Sequence, residues 1–188
     1  MNGEWLRHWV LIASGFTESN KLVEFVLKNY EVIPSTIGGV GVFMPEIRNC
    51  DVRRIDKNAE KHLVDLLRSF FEEANRNLFN FDIKFINDIQ FITYEEQGKY
   101  SWHQDVEVMT EYPRPYDRKL SMTIQLSDTD DYEGGDFEFE DGIERVPKEM
   151  RDKGSVLIFP SFYKHQITPV TKGVRHALVT WIEGPKWR

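Results

Sequence analysis

The sequence predicts a mainly β fold with flanking helices, and three observations carry that prediction. Two stretches in the first eighty residues place apolar side chains at helical spacing. Beyond them the chain breaks into short runs rich in β-branched and aromatic residues. Turn-forming pairs separate those runs.

Residues 5–12 read as a first strand. Thr17 stands where it would cap a helix over residues 18–30, in which Leu22, Phe25, Val26 and Tyr30 recur at helical spacing. Residues 31–55 carry Pro34, Gly38, Gly39, Gly41 and Pro45 among β-branched runs, the pattern of short strands around a long loop. Asp56 stands where it would cap a second helix over 57–77, with Leu63, Leu66, Leu67, Phe70, Phe71 and Ala74 on its apolar face. Eight strands are predicted after it, at 82–86, 88–95, 99–103, 119–127, 136–140, 155–159, 165–170 and 175–182. Gln97-Gly98, Gly134-Gly135, Asp141-Gly142 and Lys172-Gly173 supply turns between them. Eight short strands behind two helices fit a double-stranded β-helix, a jelly-roll or cupin-like core covered by the N-terminal helices. The last strand supports the cover. Both faces of it, Arg175, Ala177, Val179, Trp181 and His176, Leu178, Thr180, Ile182, carry apolar residues, as expected of a strand buried on both sides.

At 188 residues the chain is expected to form a single domain, 1–188, with 1–80 as a supporting layer and 81–184 as the core. Hydrophobic residues make up 40% of it, which excludes a disordered chain. A net charge of −7 argues against a nucleic-acid groove, although Arg48, Arg53 and Arg54 leave room for a local basic patch. Cys50 is the single cysteine, so no internal disulfide can form, and the first residues carry no signal-like apolar stretch. A soluble, cytoplasmic protein with no membrane partner is the expectation.

The chemistry resides in a few residues. His103 and Asp105 are two apart in a strand-like segment, so their side chains point the same way, about 7 Å apart at the backbone. His165 opens a later strand. Two histidines and one carboxylate are the facial triad that holds non-haem Fe(II) with three positions open. His-x-Asp alone is a weak signal; its order and context, with Arg175 ten residues past His165, add weight. A guanidinium there suits the far carboxylate of an organic diacid, and the alternative is an arginine paired within the protein or placed on a sheet edge. His8, His62 and His176 read as ordinary packed or solvated histidines. Ser121, Thr123 and Gln125 alternate along one strand; one face of it either lines the pocket or is a run of ordinary strand polars.

The run from Tyr94 through Gly98 and Tyr100 to His103 and Asp105 resembles the prolyl 4-hydroxylase-like branch of the Fe(II)/2-oxoglutarate dioxygenases. Gly134-Gly135-Asp136-Phe137-Glu138-Phe139, Gly154 to Phe159, and His165 through Gly173 and Arg175 to Trp181 resemble it too. The resemblance covers roughly residues 78–184. It implies a metal-binding oxidoreductase that couples oxidative decarboxylation of 2-oxoglutarate by O2 to hydroxylation of a C–H bond, with ascorbate in support. His103, Asp105 and His165 match the iron ligands and Arg175 the basic residue that binds the distal carboxylate. Tyr94 matches a pocket tyrosine. Some relatives carry a tyrosine near Gln125. A prolyl residue in a protein or peptide is the target the resemblance favours. A free amino acid or small metabolite is the alternative, and a non-enzymatic cupin-like binding module is a second. Demethylases of nucleic acid in this superfamily carry a second arginine shortly after the first, which this chain lacks. Retention of Asp105 favours hydroxylation over halogenation. The segments 106–118 and 38–54 read as a lid or substrate groove, or as solvent-exposed connectors.

Overall fold

The computed structural model describes residues 8–37, 42–106 and 115–187. Period-two alternation in the second half of the chain builds two facing antiparallel sheets. In chain order the strands are β1 (Val10–Ile12), β2 (Arg48–Asn49), β3 (Asp51–Arg54), β4 (Phe85–Tyr94), β5 (Lys99–His103) and β6 (Tyr116–Gln125). They continue with β7 (Tyr132–Gly134), β8 (Phe137–Phe139), β9 (Val156–Pro160), β10 (His165–Ile167), β11 (Val170–Gly173) and β12 (Arg175–Pro185). The helices are α1 (Ser19–Asn29) and α2 (Lys61–Ala74), and α2 runs on into a π-helical turn, Asn75–Phe79. The large sheet has the order β1-β9-β6-β12-β4-β3 and the small one β2-β5-β10-β8; β11 and β7 form a separate ribbon.

The helices cover the outer face of the large sheet. Leu67 and Phe71 of α2, with Leu22 and Val26 of α1, pack against Phe91, Leu120, Leu178 and Ile182 of the strands. Leu67 and Phe71 are fully buried, and each contributes about 1.5–3 kcal/mol by leaving water. The double-sided burial expected of the last strand holds: Leu178 and Ile182 face the helices, while Arg175, Ala177 and Trp181 are buried on the opposite face. β6 does the same with a different composition. Leu120, Met122 and Ile124 join the helix-side core, and the buried polar residues Ser121, Thr123 and Gln125 alternate with them.

Several local expectations are corrected. Thr17 does not cap α1; Glu18 precedes the helix without a side-chain cap, and Ser19 Oγ donates to Phe16 O. Asp56 closes a turn instead of capping α2, its side chain accepting from Asn58 N and its carbonyl from Glu60 N, so the helix starts only at Lys61. The strands expected at 82–86 and 88–95 are one continuous strand. Asn87 and Asp88 look like a turn in sequence, yet Asn87 Nδ2 donates to Glu183 Oε1, and Thr180 Oγ1 donates to the Asp88 carbonyl. A bulge in β4, where Ile86 to Ile89 spans Thr180 to Ile182 of β12, accommodates them. The strand expected at 165–170 splits into β10 and β11, on different sheets.

Arg48, Arg53 and Arg54 do not make an open basic patch. Arg48 is buried, Arg53 Nε donates to Tyr30 O, and Arg54 pairs with Asp88 at 3.5 Å. No helix among the described residues is long and apolar enough to cross a membrane.

Candidate active site

The inner faces of the two sheets enclose a cavity of about 620 Å³. On the small sheet, β5 and β10 pair in a register that sets His103 opposite His165. Between that pair and the next, Ile167 with Tyr100, three residues of β5 span the distance of two in β10. This bulge turns Tyr100 and His103 to the same side, where their rings stack with centroids 3.5 Å apart, and leaves Trp102 exposed. Asp105 lies just past the end of β5 and is tied down by its backbone N–H, which donates to Ser161 O.

His103, Asp105 and His165 converge. One ligand atom from each lies within 4.8 Å of the others. His103 Nε2 is 3.7 Å from Asp105 Oδ1, and His165 Nε2 is 3.6 Å from Asp105 Oδ2. The tautomers follow from the backbone. His103 Nδ1 is 2.8 Å from Ser101 O and His165 Nδ1 is 2.9 Å from Tyr163 O. A carbonyl only accepts, so both Nδ1 atoms carry a proton and both Nε2 atoms are the ones turned to the shared point. Burial, reinforced by the neighbouring His165, holds the His103 pKa well below the ordinary imidazole value, so the ring stays neutral. Burial pushes Asp105 up, but His165, His103, Arg118 and a hydrogen bond from Ser121 outweigh it and keep the carboxyl ionised. Two imidazoles and one carboxylate, with Asp105 and His165 buried and His103 partly so, are the donor set of a divalent iron site.

Ser121 Oγ donates to Asp105 Oδ2 at 2.6 Å, and Ser161 Oγ lies 3.0 Å from Ser121 Oγ. Ser121 has a single proton and gives it to the carboxylate, so the bond between the serines is donated by Ser161. Ser121 belongs to β6 of the large sheet. The carboxylate of the small-sheet triad is therefore braced from across the cavity.

Arg175 opens β12 and lines the same cavity at 2% exposure. Its Nε donates to Gln125 Oε1 at 3.1 Å, and no carboxylate among the described residues pairs with it. Its stem passes over Gly135, where an added Cβ would stand 3.1 Å from Arg175 Cδ; at φ +62° that position favours glycine in any case. The Arg175 guanidinium carbon is 5.4 Å from the Tyr94 ring centroid. Tyr94 is buried in the cavity wall, and that burial raises its pKa, so the phenol stays protonated. Thr123 also lines the cavity. Gln125 sits behind Arg175, with its Nε2 donating to Ser127 O and Tyr132 Oη. His176 lies on the opposite face of β12, its Nδ1 3.1 Å from Thr93 Oγ1.

Some residues of the site had no role assigned from the sequence. Ser161 and Tyr100 fall into place only through the tertiary approach of β6 and the bulge in β5. Arg48 and Arg118 line the cavity too. Arg118 sits with its guanidinium 3.9 Å above the Trp181 ring and NH1 donating to Asp105 O. Residues 107–114 and 38–41, parts of the two expected lid segments 106–118 and 38–54, lie outside the described residues; Val106 and Ile37 beside them line the cavity, and Arg48–Asn49 and Asp51–Arg54 are strands.

A PKHD-type hydroxylase of Alteromonas mediterranea is 38% identical over 95 residues, 50% of this chain and 42% of that protein. One from Synechococcus sp. (strain CC9902) is 32% identical over 134 residues, 70% of this chain and 53% of its own length. The chain thus spans about half the length of the curated relatives it matches. Among solved structures, the viral collagen prolyl hydroxylase of Paramecium Bursaria Chlorella virus-1 superposes with a TM-score of 0.71 at 16% identity, covering 95% of this chain and 97% of that one. A prolyl hydroxylase from Trichoplax adhaerens, solved with a hypoxia inducible factor peptide, gives 0.72 at 17% identity, with 94% and 83% covered. At such identities these structures speak to the fold alone. Residues 89–183, from β4 to β12 and so enclosing all three triad side chains and Arg175, match the 2OG-Fe(II) oxygenase superfamily, to which this chain belongs.

Proposed function

We propose that the chain is an Fe(II)- and 2-oxoglutarate-dependent dioxygenase that hydroxylates a C–H bond, with a prolyl residue of a protein or peptide as its target. The observation that carries this reading is one cavity holding both the convergent His103, Asp105 and His165 and a buried Arg175 with no carboxylate partner among the described residues. The two sheets are read as a double-stranded β-helix, with 1–188 as one domain, 1–80 supporting it and 81–184 forming the core. The names of the relatives, hydroxylases and prolyl hydroxylases, support the reaction type.

His103, Asp105 and His165 would hold the metal. Fe(II), when bound, supplies the redox chemistry that couples decarboxylation of 2-oxoglutarate to oxidation of the substrate carbon. The chain does the rest. The Nδ1–H bonds keep both imidazoles facing the metal position. Arg175, held at Nε by Gln125, directs its terminal nitrogens at a carboxylate, the fork geometry that suits a diacid. Ala177, Val179, Ile167 and Trp181 form an apolar wall that limits water around the reacting groups. The volume lies within the range of small-molecule sites, ~300–1,000 Å³.

A second reading, hydroxylation of a free amino acid or small acid, is favoured by one observation: a second buried guanidinium, Arg48, in the cavity wall. Succinate formation with Fe(II), ascorbate and 2-oxoglutarate tests both. Stimulation by proline-containing peptides supports the first and stimulation by free amino acids the second. Absence of succinate under all conditions would leave a non-enzymatic binding module.

A further inference from the structure

Arg48 has no task in the chemistry above, and its surroundings ask for one. It is 9% exposed and lies on β2, paired in register with Tyr100. Its guanidinium carbon is 4.8 Å from the Tyr100 ring centroid, and that ring stacks on His103. Its two terminal nitrogens donate to neutral acceptors, NH1 to Thr36 O and NH2 to Gln90 Oε1, and its buried Nε has no partner among the described residues. Gln90 is fixed in turn, because its Nε2 donates to Asp88 Oδ2 at 2.6 Å. The guanidinium is therefore held in place by a chain of polar contacts that never neutralises it.

A buried cation without a counter-charge is unstable unless an anion joins it. The charge of the wall agrees. Among the described residues, the lining contains Arg48, Arg54, Arg118 and Arg175 but a single acid, Asp105. Asp88 offsets Arg54. A ferrous ion and the 2-oxoglutarate dianion would cancel each other and leave the rest of the balance positive. Arg175 lies on β12 of the large sheet and Arg48 on β2 of the small one. Beside Arg48 the wall is apolar, with Ile33, Pro34 and Ile37.

We propose that Arg48 is a specificity-determining residue that receives a carboxylate of the primary substrate, so that the molecule hydroxylated is an acid with an apolar body. This rests on the dioxygenase reading and deepens it. The source of the carboxylate, a free amino acid, a chain terminus or an acidic side chain, is separated by the probes.

The test uses protein loaded with Zn(II) and 2-oxoglutarate, and reads binding by saturation-transfer NMR. Three acids are titrated: L-proline, N-acetyl-L-proline, and a prolyl-aspartate peptide blocked at both ends. Each is compared with its neutral partner: prolinamide, N-acetylprolinamide and the blocked prolyl-asparagine peptide. At least one acid should bind, and its neutral partner roughly tenfold or more weakly, the loss expected for a charge-assisted hydrogen bond. The acid that binds identifies the source. Arg48→Gln should erase the preference and Arg48→Lys keep part of it, which a packing role for Arg48 would not produce. Four results would overturn the proposal: equal binding of acid and amide, no acid binding, a preference that survives Arg48→Gln, or a loss of 2-oxoglutarate affinity in Arg48→Gln as large as the loss of acid affinity. If Arg48→Gln does not fold, the wild-type acid-to-amide ratio and Arg48→Lys still decide it. Succinate formation by the iron-loaded wild type is measured alongside. Its absence together with a preserved acid preference would strike the dioxygenase reading alone.

Discussion

Replacing Arg175 by methionine should separate ligand recognition from folding. In the ligand-free protein the guanidinium is 2% exposed and, among the described residues, bonded only through Nε to Gln125 and paired with no carboxylate. Methionine fills similar volume and removes a buried cation, a change worth about 1–4 kcal/mol of stabilisation. It also leaves Gln125 Oε1 without its donor, at about 1 kcal/mol. The ligand-free melting temperature should therefore stay level or rise. Recognition should suffer the opposite fate, because the charge-assisted pair to a carboxylate is worth about 3 kcal/mol or more, roughly a hundredfold in affinity. At ~100 Kd of 2-oxoglutarate, with Mn(II) present, linkage adds about 2.7 kcal/mol to the wild type. At ~2–4 °C per kcal/mol for a chain of this size, that raises its Tm by roughly 5–10 °C. The same concentration should move Arg175→Met by about 1–2 °C. Differential scanning fluorimetry reads both quantities. A variant that gains as much as the wild type would remove Arg175 from the cosubstrate site. A ligand-free Tm lowered by more than roughly 5 °C would make the arginine a structural element instead.

Ser121→Ala removes the side-chain donor to Asp105 Oδ2 and should weaken metal affinity roughly 10–100-fold by calorimetry, the usual effect of losing such a support. Asp105→Ala should lose the metal and all hydroxylation, whereas His176→Ala, on the far face of β12, should leave metal affinity unchanged. The metal-free protein should lose stability as pH falls. The His103 pKa is depressed in the fold, so above the unfolded value of about 6.5 both states are neutral, and below it only the unfolded chain takes up the proton. Asp105, also depressed, adds to the loss below its ordinary value. Urea midpoints at pH 7, 6 and 5 should decline in that order, and a flat profile would contradict a buried neutral His103. Phe71→Ala, in the helix-side core, should cost about 3–5 kcal/mol by urea unfolding without altering metal affinity in the folded fraction.

Much of the architecture was legible because it depends on periodicity. The apolar stripe of α2, the run Lys99–His103 and the two-faced burial of β12 follow from spacing alone. The triad was legible because His-x-Asp on an extended segment forces two side chains together, and the neighbouring strand β10 of the same sheet supplies the third. What escaped detection depends on contacts distant in sequence. Asn87 and Asp88 look like a turn until Glu183 and Thr180 are brought beside them. The bulge that aligns Tyr100 with His103 depends on pairing with β10. Ser121, Thr123 and Gln125 were recognisable as a polar face, but their division of labour was not. Ser121 supports Asp105 and Gln125 supports Arg175, since each role depends on what lies opposite.

The two imidazoles are steered by backbone carbonyl groups two residues back in each case. No point mutation deletes a carbonyl, so the aim of these rings tolerates sequence drift as long as the local backbone keeps its path. The aspartate has no such insurance. Its orientation hangs on a hydroxyl contributed by a strand of the other sheet, and a single base change can abolish that hydroxyl. Divergence among proteins built this way should therefore erode metal retention first at the serine, well before either histidine is replaced.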